Sequence, residues 1–438
     1  MTEFQLAPIL VSLAVLLAGA HVLGHVAFRL RQPRFVGEIL SGVLLGPVVL
    51  GELAPRAGGE LPGETGDPTA LVLGFVSWLG LLLLMFVSGS EVRRVLAREQ
   101  RLPTAWILGL GTAVPFAIVF WLGAALPLDD LRGARGGELA FLVVLATAAA
   151  VTSIPVIARI FHELKILHTR FASLVLGSAM LEDVALFAAI AVATALAQPG
   201  GDAVAGSVAV HVAITIGYLV VGLLVAPPFL RRIQELRINV LARRARVAYA
   251  LLLMLSYTAI AAVLGVNIVF GAFLAGFGLV GGVRGTERER YSAPLDAISQ
   301  FAFATFIPLY FAMVGTRLEL ADGSSLSVLV VFLVASSALR MTFVGAATRL
   351  AGFGVRDAGD VAVAMNARGG PGIVLATVAF DAGIIASGLF TVLVLTAILT
   401  SQFAGWWLGR AIRSRGVLLG EPIPSGAAPS PMMGRSIS

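Results

Sequence analysis

The sequence contains no cysteine and few charged residues. The absence of cysteine excludes disulfides, thiolate metal sites and cysteine nucleophiles. Charged residues make up only 13% of the 438 residues, whereas soluble domains average about 25%. Apolar residues make up 58%, and no long polar block interrupts them before about Gly409. The sequence therefore predicts an all-α polytopic membrane protein, with one transmembrane domain at 1–415 and a disordered cytoplasmic tail at 416–438.

Several functional motifs are also missing. There is no Walker-type phosphate loop for ATP-driven transport, no repeated Thr-Val-Gly of a channel filter, and no His/Asp/Ser constellation suited to hydrolysis, so we expect no enzyme. His21 and His25 have the i, i+4 spacing of metal ligands but lack a third ligand nearby. We therefore expect no resident metal and no cofactor. The glycine-flanked runs Gly42–Gly46 and Gly271–Gly276 follow no strand, and we expect them to permit close helix packing.

Apolar segments of about 20 residues divide the chain into candidate membrane spans. Thirteen are present, at 4–28, 36–52, 70–90, 104–127, 138–160, 171–197, 205–230, 247–264, 267–283, 297–315, 326–348, 357–380 and 386–409. Lysine and arginine concentrate in the connections on one side, whereas the other side carries only Arg56, Arg132, Arg135 and Arg317. By the positive-inside rule we expect the N-terminus outside and the C-terminus in the cytoplasm, in a bacterial inner (plasma) membrane. This topology accounts for the net charge of +6, so we expect membrane lipid and no nucleic acid as a partner.

Two adjacent acids interrupt the sixth of these spans. Glu182 and Asp183 lie in Leu174–Ala197, which is otherwise apolar. A carboxylate at that depth costs about 2.5–3.5 kcal/mol on insertion scales. The pair therefore indicates a pathway for an ion or a proton.

Two spans contain sequences that break a regular helix. The fifth contains TSIP at 152–155, and the twelfth contains NARGGPG at 366–372. By the predicted topology these two spans have opposite orientations. Matched breaks in opposed spans are typical of inverted-repeat transporters, whose ion site lies where the two broken helices cross. The alternative is that each proline only kinks a packed helix.

Two arginines also fall inside predicted spans. Arg340 lies part-way along the eleventh span and Arg368 lies in the break of the twelfth, and neither can remain unpaired at that depth. The deep acids are Glu182, Asp183 and, nearer the cytoplasmic end, Glu38. We expect a Glu182–Arg340 ion pair, which leaves Asp183 to bind the cation or the proton. For Arg368 two roles stay open, offsetting the carbonyl dipoles of the broken helix or direct participation.

Oxygen ligands near the first break suit a hard monovalent cation. Thr152 and Ser153 lie in the break itself, and Ser178 lies about a turn and a half before Asp183. Capping of a kinked helix is an equally good and compatible role for the two break residues. We expect ion or proton binding at Asp183, Glu182, Thr152 and Ser153, supporting charges at Arg340 and Arg368, and weaker contributions from Ser178 and Glu38.

Six sequence runs together resemble a known family. They are the runs at 31–47 (RQPRFVGEILSGVLLGP), 82–91, 150–159 (AVTSIPVIAR), 271–276 (GAFLAG), 308–315 (PLYFAMVG) and 365–369 (MNARG). Over nearly all of residues 5–410 the chain is similar to the monovalent cation:proton antiporter-2 family, which includes sodium/proton exchangers and potassium efflux antiporters.

The resemblance implies a sodium/proton antiporter-like fold of thirteen helices, divided into a core and a dimerisation part. It also implies a homodimer, elevator-like alternating access, an ion-carrying aspartate at Asp183 and a basic residue facing it at Arg340. Relatives more typically have Asp, Asn or Gln where this chain has Glu182. An acid at that place tends to accompany electrogenic exchange, although a permanent Glu182–Arg340 pair leaves electroneutral exchange open.

These observations lead to the hypothesis of a secondary antiporter that exchanges sodium or potassium for protons at Asp183. Two alternatives stay open. One is a gated monovalent cation channel, and the other is an organic-ion/proton transporter on the same fold, which a site made mainly of carboxylates disfavours for anions.

Overall fold

The computed structural model describes most of the chain outside several connections and the tail. The described residues are 3–30, 32–45, 68–92, 101–153, 156–157, 160–161, 164, 166, 169–197, 205–235, 239–281, 287–318, 323–415, 417–418 and 421–422. The predicted disordered tail at 416–438 therefore lies outside the described residues, apart from two strands of two residues each. Ile154 and Pro155 of the first predicted break also lie outside them.

Almost all of the described chain is helical, as the apolar composition predicts. The helices are α1 (Glu3–Arg29), α2 (Arg34–Leu45), α3 (Pro68–Val92), α4 (the consecutive segments Arg101–Trp106, Ile107–Ala113 and Val114–Ala125), α5 (Glu138–Ala150), α6 (Arg170–Leu196), α7 (the consecutive segments Ala205–Val220, Val221–Val225 and Ala226–Glu235), α8 (Val240–Arg244), α9 (Arg246–Val263), α10 (Ile268–Gly281), α11 (Glu287–Ala304), α12 (Phe306–Thr316), α13 (Gly323–Leu350), α14 (Val355–Met365), α15 (Gly369–Asp381) and α16 (Ser387–Arg415). Asp129–Leu131 forms a 3₁₀ turn. The strands β1 (Val417–Leu418) and β2 (Glu421–Pro422) pair antiparallel.

Among the residues that the structure describes, ten helical stretches are long and apolar enough to cross a membrane, so the chain is an integral membrane protein. They coincide with ten of the thirteen predicted spans. The other three predicted spans fall on the shorter helices α2, α5 and α10. Helix α5 is short because the backbone becomes extended at Val151, and the predicted span 36–52 continues past α2 into residues that the structure does not describe.

The consecutive helices α14 and α15 form the centre of the molecule. The most apolar 18-residue stretch of Val355–Asp381 is 100% buried, whereas the corresponding stretch of Leu326–Leu350, in α13, is only 17% buried. Helix α13 is therefore peripheral, with most of its surface not covered by the rest of the chain. The segment that contains the second predicted break is enclosed by protein on all sides, which is where non-helical backbone is tolerated in a membrane.

Glycines allow two pairs of helices to touch backbone to backbone. A Cβ on Gly89 of α3 would overlap the carbonyl of Phe273 in α10, and one on Gly276 of α10 would overlap the carbonyl of Phe86 in α3. Helices α2 and α12 meet in the same reciprocal way, through Gly42 and Gly315. Small residues at such crossings let helices approach closely, as the glycine-flanked runs predicted.

The two predicted breaks cross, which confirms the inverted-repeat arrangement expected from the sequence. Helix α5 ends at Ala150, where the backbone becomes extended, and α14 ends at Met365. The residues that follow the two helix ends meet. The backbone N–H of Ser153 donates to the carbonyl of Ala367 at 2.7 Å. Gly369 has φ of +28°, and a Cβ there would overlap the Ser153 and Val156 side chains. Only glycine fits this crossing, because both the backbone conformation and the available space exclude a side chain.

Candidate functional site

Asp183 lies inside α6 with no access to solvent (0% exposed). Neither carboxylate oxygen accepts a hydrogen bond from any described residue. The helix that carries it begins at a conventional cap, since the Thr169 hydroxyl accepts the N–H of Ala172 at 3.2 Å. Buried polar atoms are normally hydrogen-bonded, so two carboxylate oxygens without a described partner are a marked exception.

Glu182, the neighbouring acid, has the opposite environment. Its Oε2 lies 2.6 Å from Nη2 of Arg340, in an ion pair that is almost completely buried. Its Oε1 accepts the hydroxyl of Thr112. Both oxygens of Glu182 are therefore engaged, and the ion pair expected from the sequence is present in the structure.

Arg340 is the centre of a buried polar network that joins several helices. Its Nη1 donates to the Gly111 carbonyl at 2.8 Å and to the Thr112 hydroxyl at 3.2 Å. Its Nη2 donates to the Thr152 hydroxyl at 2.6 Å as well as to Glu182, and Nε makes a longer contact of 3.4 Å to the Met365 carbonyl. The planar fork of a guanidinium suits this many directed bonds. Helices α4, α6, α13, α14 and the first break are thereby held by one side chain.

Pro115 explains why α4 presents backbone oxygens to this network. Proline has no N–H and cannot donate to the carbonyl four residues earlier, which is that of Gly111. Helix α4 is π-helical over Ile107–Ala113, and the Gly111 carbonyl accepts from Arg340 instead. Gly111 also contacts Val344 so closely that a Cβ would crowd it, which brings α13 within reach. Sequence reasoning missed Gly111 and Thr112, although a proline within an apolar span was a visible signal.

The two hydroxyl residues of the first break have different environments. Thr152 accepts from Arg340 and donates to the Met365 carbonyl at 2.5 Å, so it ties the first break to the second. The hydroxyl of Ser153 is buried and has no hydrogen-bond partner among the described residues. Ser178 directs its hydroxyl to Thr104 of α4, at 3.4 Å.

Arg368 is buried at the second break and forms no ion pair with any carboxylate of the described residues. Its guanidinium lies over the ring of Phe332, 5.7 Å from the centroid, with a 3.5 Å contact from Nη2 to Asn366. Nε and Nη1 donate to no described atom. Nearby, the hydroxyls of Thr400 and Ser401 in α16 accept the backbone N–H groups of Arg368 and Gly369, where α15 begins, at 3.4 and 3.1 Å. These hydroxyls satisfy the helix end that the break exposes.

Glu38 lies apart from this network, in a cavity of about 630 Å³. The cavity is also lined by His21 and His25 of α1 and reaches Gly370 and Pro371 at the start of α15. The His21 ring nitrogen Nε2 contacts the Ala304 carbonyl at 2.8 Å. Within the described part of the chain, no group of three His, Asp or Glu residues is arranged to hold a metal ion.

One further deep acid was missed by sequence reasoning. Asp360 in α14 is 1% exposed. It accepts from Arg415 at 2.7 Å and from the Trp407 indole at 3.1 Å, both in α16. The three acids expected inside the spans did not include Asp360, which lies near the start of a predicted span and is covered by the end of α16.

Comparison with known proteins identifies the family. The family described as sodium/hydrogen exchanger, transmembrane, matches residues 12–413. Among curated proteins, the chain is 28% identical to K(+)/H(+) antiporter 1 of Saccharomyces cerevisiae over 86% of this chain and 43% of that protein. It is 26% identical to Cation/H(+) antiporter 18 of Arabidopsis thaliana over 91% of this chain and 48% of that protein. The chain thus spans about half the length of these two relatives.

A relative of similar length and a solved structure agree with that match. The Na(+)/H(+)-K(+) antiporter GerN of Bacillus cereus is 24% identical, over 89% of this chain and 92% of that protein. The solved structure of the sodium proton antiporter MjNhaP1 from Methanocaldococcus jannaschii superposes with a TM-score of 0.62 and 15% identity, over 95% of this chain and 100% of that one. That likeness shows the fold. The family match over residues 12–413 shows that this chain belongs to the sodium/hydrogen exchanger family.

Proposed function

We propose that this chain is a secondary antiporter that exchanges sodium or potassium for protons, with Asp183 as the shared site. The observation that carries the proposal is the contrast between the two adjacent acids. Both oxygens of Glu182 are engaged by Arg340 and Thr112, whereas neither oxygen of Asp183 accepts a hydrogen bond from a described residue. The names of the relatives, which include K(+)/H(+) and Na(+)/H(+)-K(+) antiporters, support the same class of transport.

Competition at one carboxylate is sufficient to couple the two fluxes. A carboxylate must lose its proton before it ligates a cation, so cation binding releases a proton and protonation releases the cation. Ser153 is the better of the two break hydroxyls as an additional oxygen ligand, because its hydroxyl is unengaged. Thr152 is committed to Arg340 and Met365 and serves to hold the crossing together. Arg368 supplies a positive charge at the break, which offsets the partial negative charge of the carbonyls at the end of α14.

Access from alternate sides is supported by the contacts at the two ends of α15. The cavity of about 630 Å³ reaches Gly370 and Pro371 at its first turn. At its last residue, Asp381 pairs with Arg317 beyond α12, at 2.7 Å. This 13-residue helix is about 20 Å long. A cavity at one end and a bridged contact at the other suit a protein in which the ion site faces one side at a time.

We expect the Arg317–Asp381 contact to hold the present conformation. Because the chain has no cysteine, a single reporter gives no background labelling by a membrane-impermeant maleimide. Two reporter variants are used. Ser88 lines the cavity and is replaced in Ser88→Cys, and Ser77 lies beside the ion pair and is replaced in Ser77→Cys. Adding Arg317→Gln to each reporter variant is expected to slow labelling at position 88 and to speed labelling at position 77.

A matched variant separates this effect from the loss of any ion pair. Asp129→Asn removes a pair with Arg132 inside one short segment and is expected to leave both labelling rates unchanged. Equal labelling rates with and without Arg317→Gln would show that the ion pair does not control access.

Several finer features belong to the same proposal. We take the transmembrane domain as 1–415, divided into a core and a dimerisation part, with the chain acting as a homodimer. We take the N-terminus as outside and the C-terminus as cytoplasmic, in a bacterial inner membrane. The family resemblance supports the dimer, and the distribution of lysine and arginine supports the orientation.

Proton flux in proteoliposomes tests the proposed function. Vesicles with a preset pH gradient and a pH-sensitive dye receive sodium, potassium, lithium or choline in turn. Sodium or potassium is expected to dissipate the gradient, whereas choline and protein-free vesicles leave it intact. Alkali-cation current without proton movement would favour a channel instead, and a response to organic ions alone would favour an organic-ion/proton transporter.

A further inference from the structure

Thr112 bridges the two partners of the buried ion pair, alongside their direct contact. Its hydroxyl accepts from Nη1 of Arg340 at 3.2 Å and donates its proton to Oε1 of Glu182. The same guanidinium reaches Oε2 of Glu182 through Nη2. Arg340, Thr112 and Glu182 thus form a closed triangle. Among the described contacts, only the Thr112 hydroxyl donates a hydrogen bond to Oε1 of Glu182.

The position of this hydroxyl depends on the local geometry of α4. The π-helical segment Ile107–Ala113 precedes Pro115, whose missing N–H leaves the Gly111 carbonyl to Arg340. Gly111 and Thr112 are consecutive, so the guanidinium is bound by a backbone oxygen and a side-chain oxygen from one turn. A regular helix with an N–H at position 115 would draw the Gly111 carbonyl back into its own ladder.

We propose that Thr112 is a positioning residue for ion exchange, which keeps Oε1 of Glu182 occupied so that Asp183 alone offers free carboxylate oxygens to the cargo. This inference rests on the proposed function and adds to it a determinant of cation affinity. Without the hydroxyl, Oε1 becomes a second hard oxygen on the residue next to Asp183. Each added carboxylate oxygen strengthens the binding of a hard cation. The cation is then bound more tightly and released more slowly.

The test is to compare cation-dependent proton flux for wild type, Thr112→Val and Thr112→Ser, reconstituted at equal density. Valine retains the shape and removes the hydroxyl. Thr112→Val is expected to lower the half-saturating sodium or potassium concentration several-fold and to lower the maximum rate. Thr112→Ser is expected to restore both, because serine retains the donor. Isothermal titration of the purified protein with the same cation should show the same tightening.

Two further variants keep the inference falsifiable. Pro115→Ala substitutes none of the three residues of the triangle. It is expected to lower the half-saturating cation concentration, but by less than Thr112→Val does. Thr348→Val removes a buried hydroxyl of α13 whose one described hydrogen bond is within its own helix, to the Val344 carbonyl, and should leave both constants unchanged. A reduced rate with an unchanged half-saturating concentration in Thr112→Val, or failure of serine to rescue, would overturn the positioning role. Absence of exchange in wild type would instead refute the proposed function.

Discussion

Replacing Asp183 with asparagine is expected to abolish cation-driven proton movement and to leave the protein folded. The amide has nearly the same shape but can neither release a proton nor carry the negative charge that binds a cation. The side chain forms no hydrogen bond with the described residues, so no described hydrogen bond is lost. Because an ionised carboxylate within a span is costly, thermal unfolding in detergent should occur at the same or a higher temperature than in wild type.

The appropriate control is an aspartate outside the spans. Asp130 lies exposed in the 3₁₀ turn, and Asp130→Asn should exchange cations as wild type does. If Asp183→Asn retained full exchange at equal reconstitution density, the shared site would have to lie elsewhere, and Glu182 would be the first residue to reconsider.

Replacing Arg340 with glutamine is expected to cause a large loss of stability. Removing one partner of a buried ion pair leaves an uncompensated charge and typically costs about 3–5 kcal/mol. Here the loss extends further, because the Gly111 carbonyl and the Thr152 hydroxyl lose the same donor. Glu182→Gln should cost less, since the arginine retains its oxygen partners in α4 and in the first break. Unfolding in detergent, followed by circular dichroism against temperature or denaturant, measures these differences.

The double variant shows whether the two residues act as a pair. Arg340→Gln with Glu182→Gln should be less destabilised than the sum of the single variants, because neither charge is then left alone. Arg317→Gln breaks a pair that is 31% and 25% exposed and should cost no more than about 1 kcal/mol. Strict additivity of the two buried substitutions would mean that the ion pair contributes nothing beyond its separate contacts.

Much of the site was predictable because burial of charge in a membrane is so unfavourable. Apolar runs identified the spans, and the acids and arginines inside those runs could then be selected with few alternatives. The pairing of Glu182 with Arg340 was expected because a deep arginine needs a carboxylate, carbonyl dipoles or water to offset its charge, and Glu182 is one of few acids inside the spans. Glycine and proline runs likewise marked the two breaks, since neither run can continue a regular helix.

Other features depended on which helices are neighbours. The Gly111 carbonyl and Arg340 are 229 residues apart, and apolar periodicity does not distinguish among many equally apolar faces. Ser178 satisfied the spacing for a ligand, yet its hydroxyl contacts Thr104. Arg368 was expected to need a compensating group, and the structure supplies the ring of Phe332 and a 3.5 Å contact to Asn366.

The sequence by itself determined that this is a membrane protein with crossing broken helices and an acid pair beside them. These conclusions follow from the cost of exposing backbone and charge to lipid, which applies to each segment separately. Only the tertiary structure showed the contacts that engage the second oxygen of Glu182 and the rest of the guanidinium, which come from Thr112, the Gly111 carbonyl and Thr152. Such contacts are set by packing between segments distant in the chain.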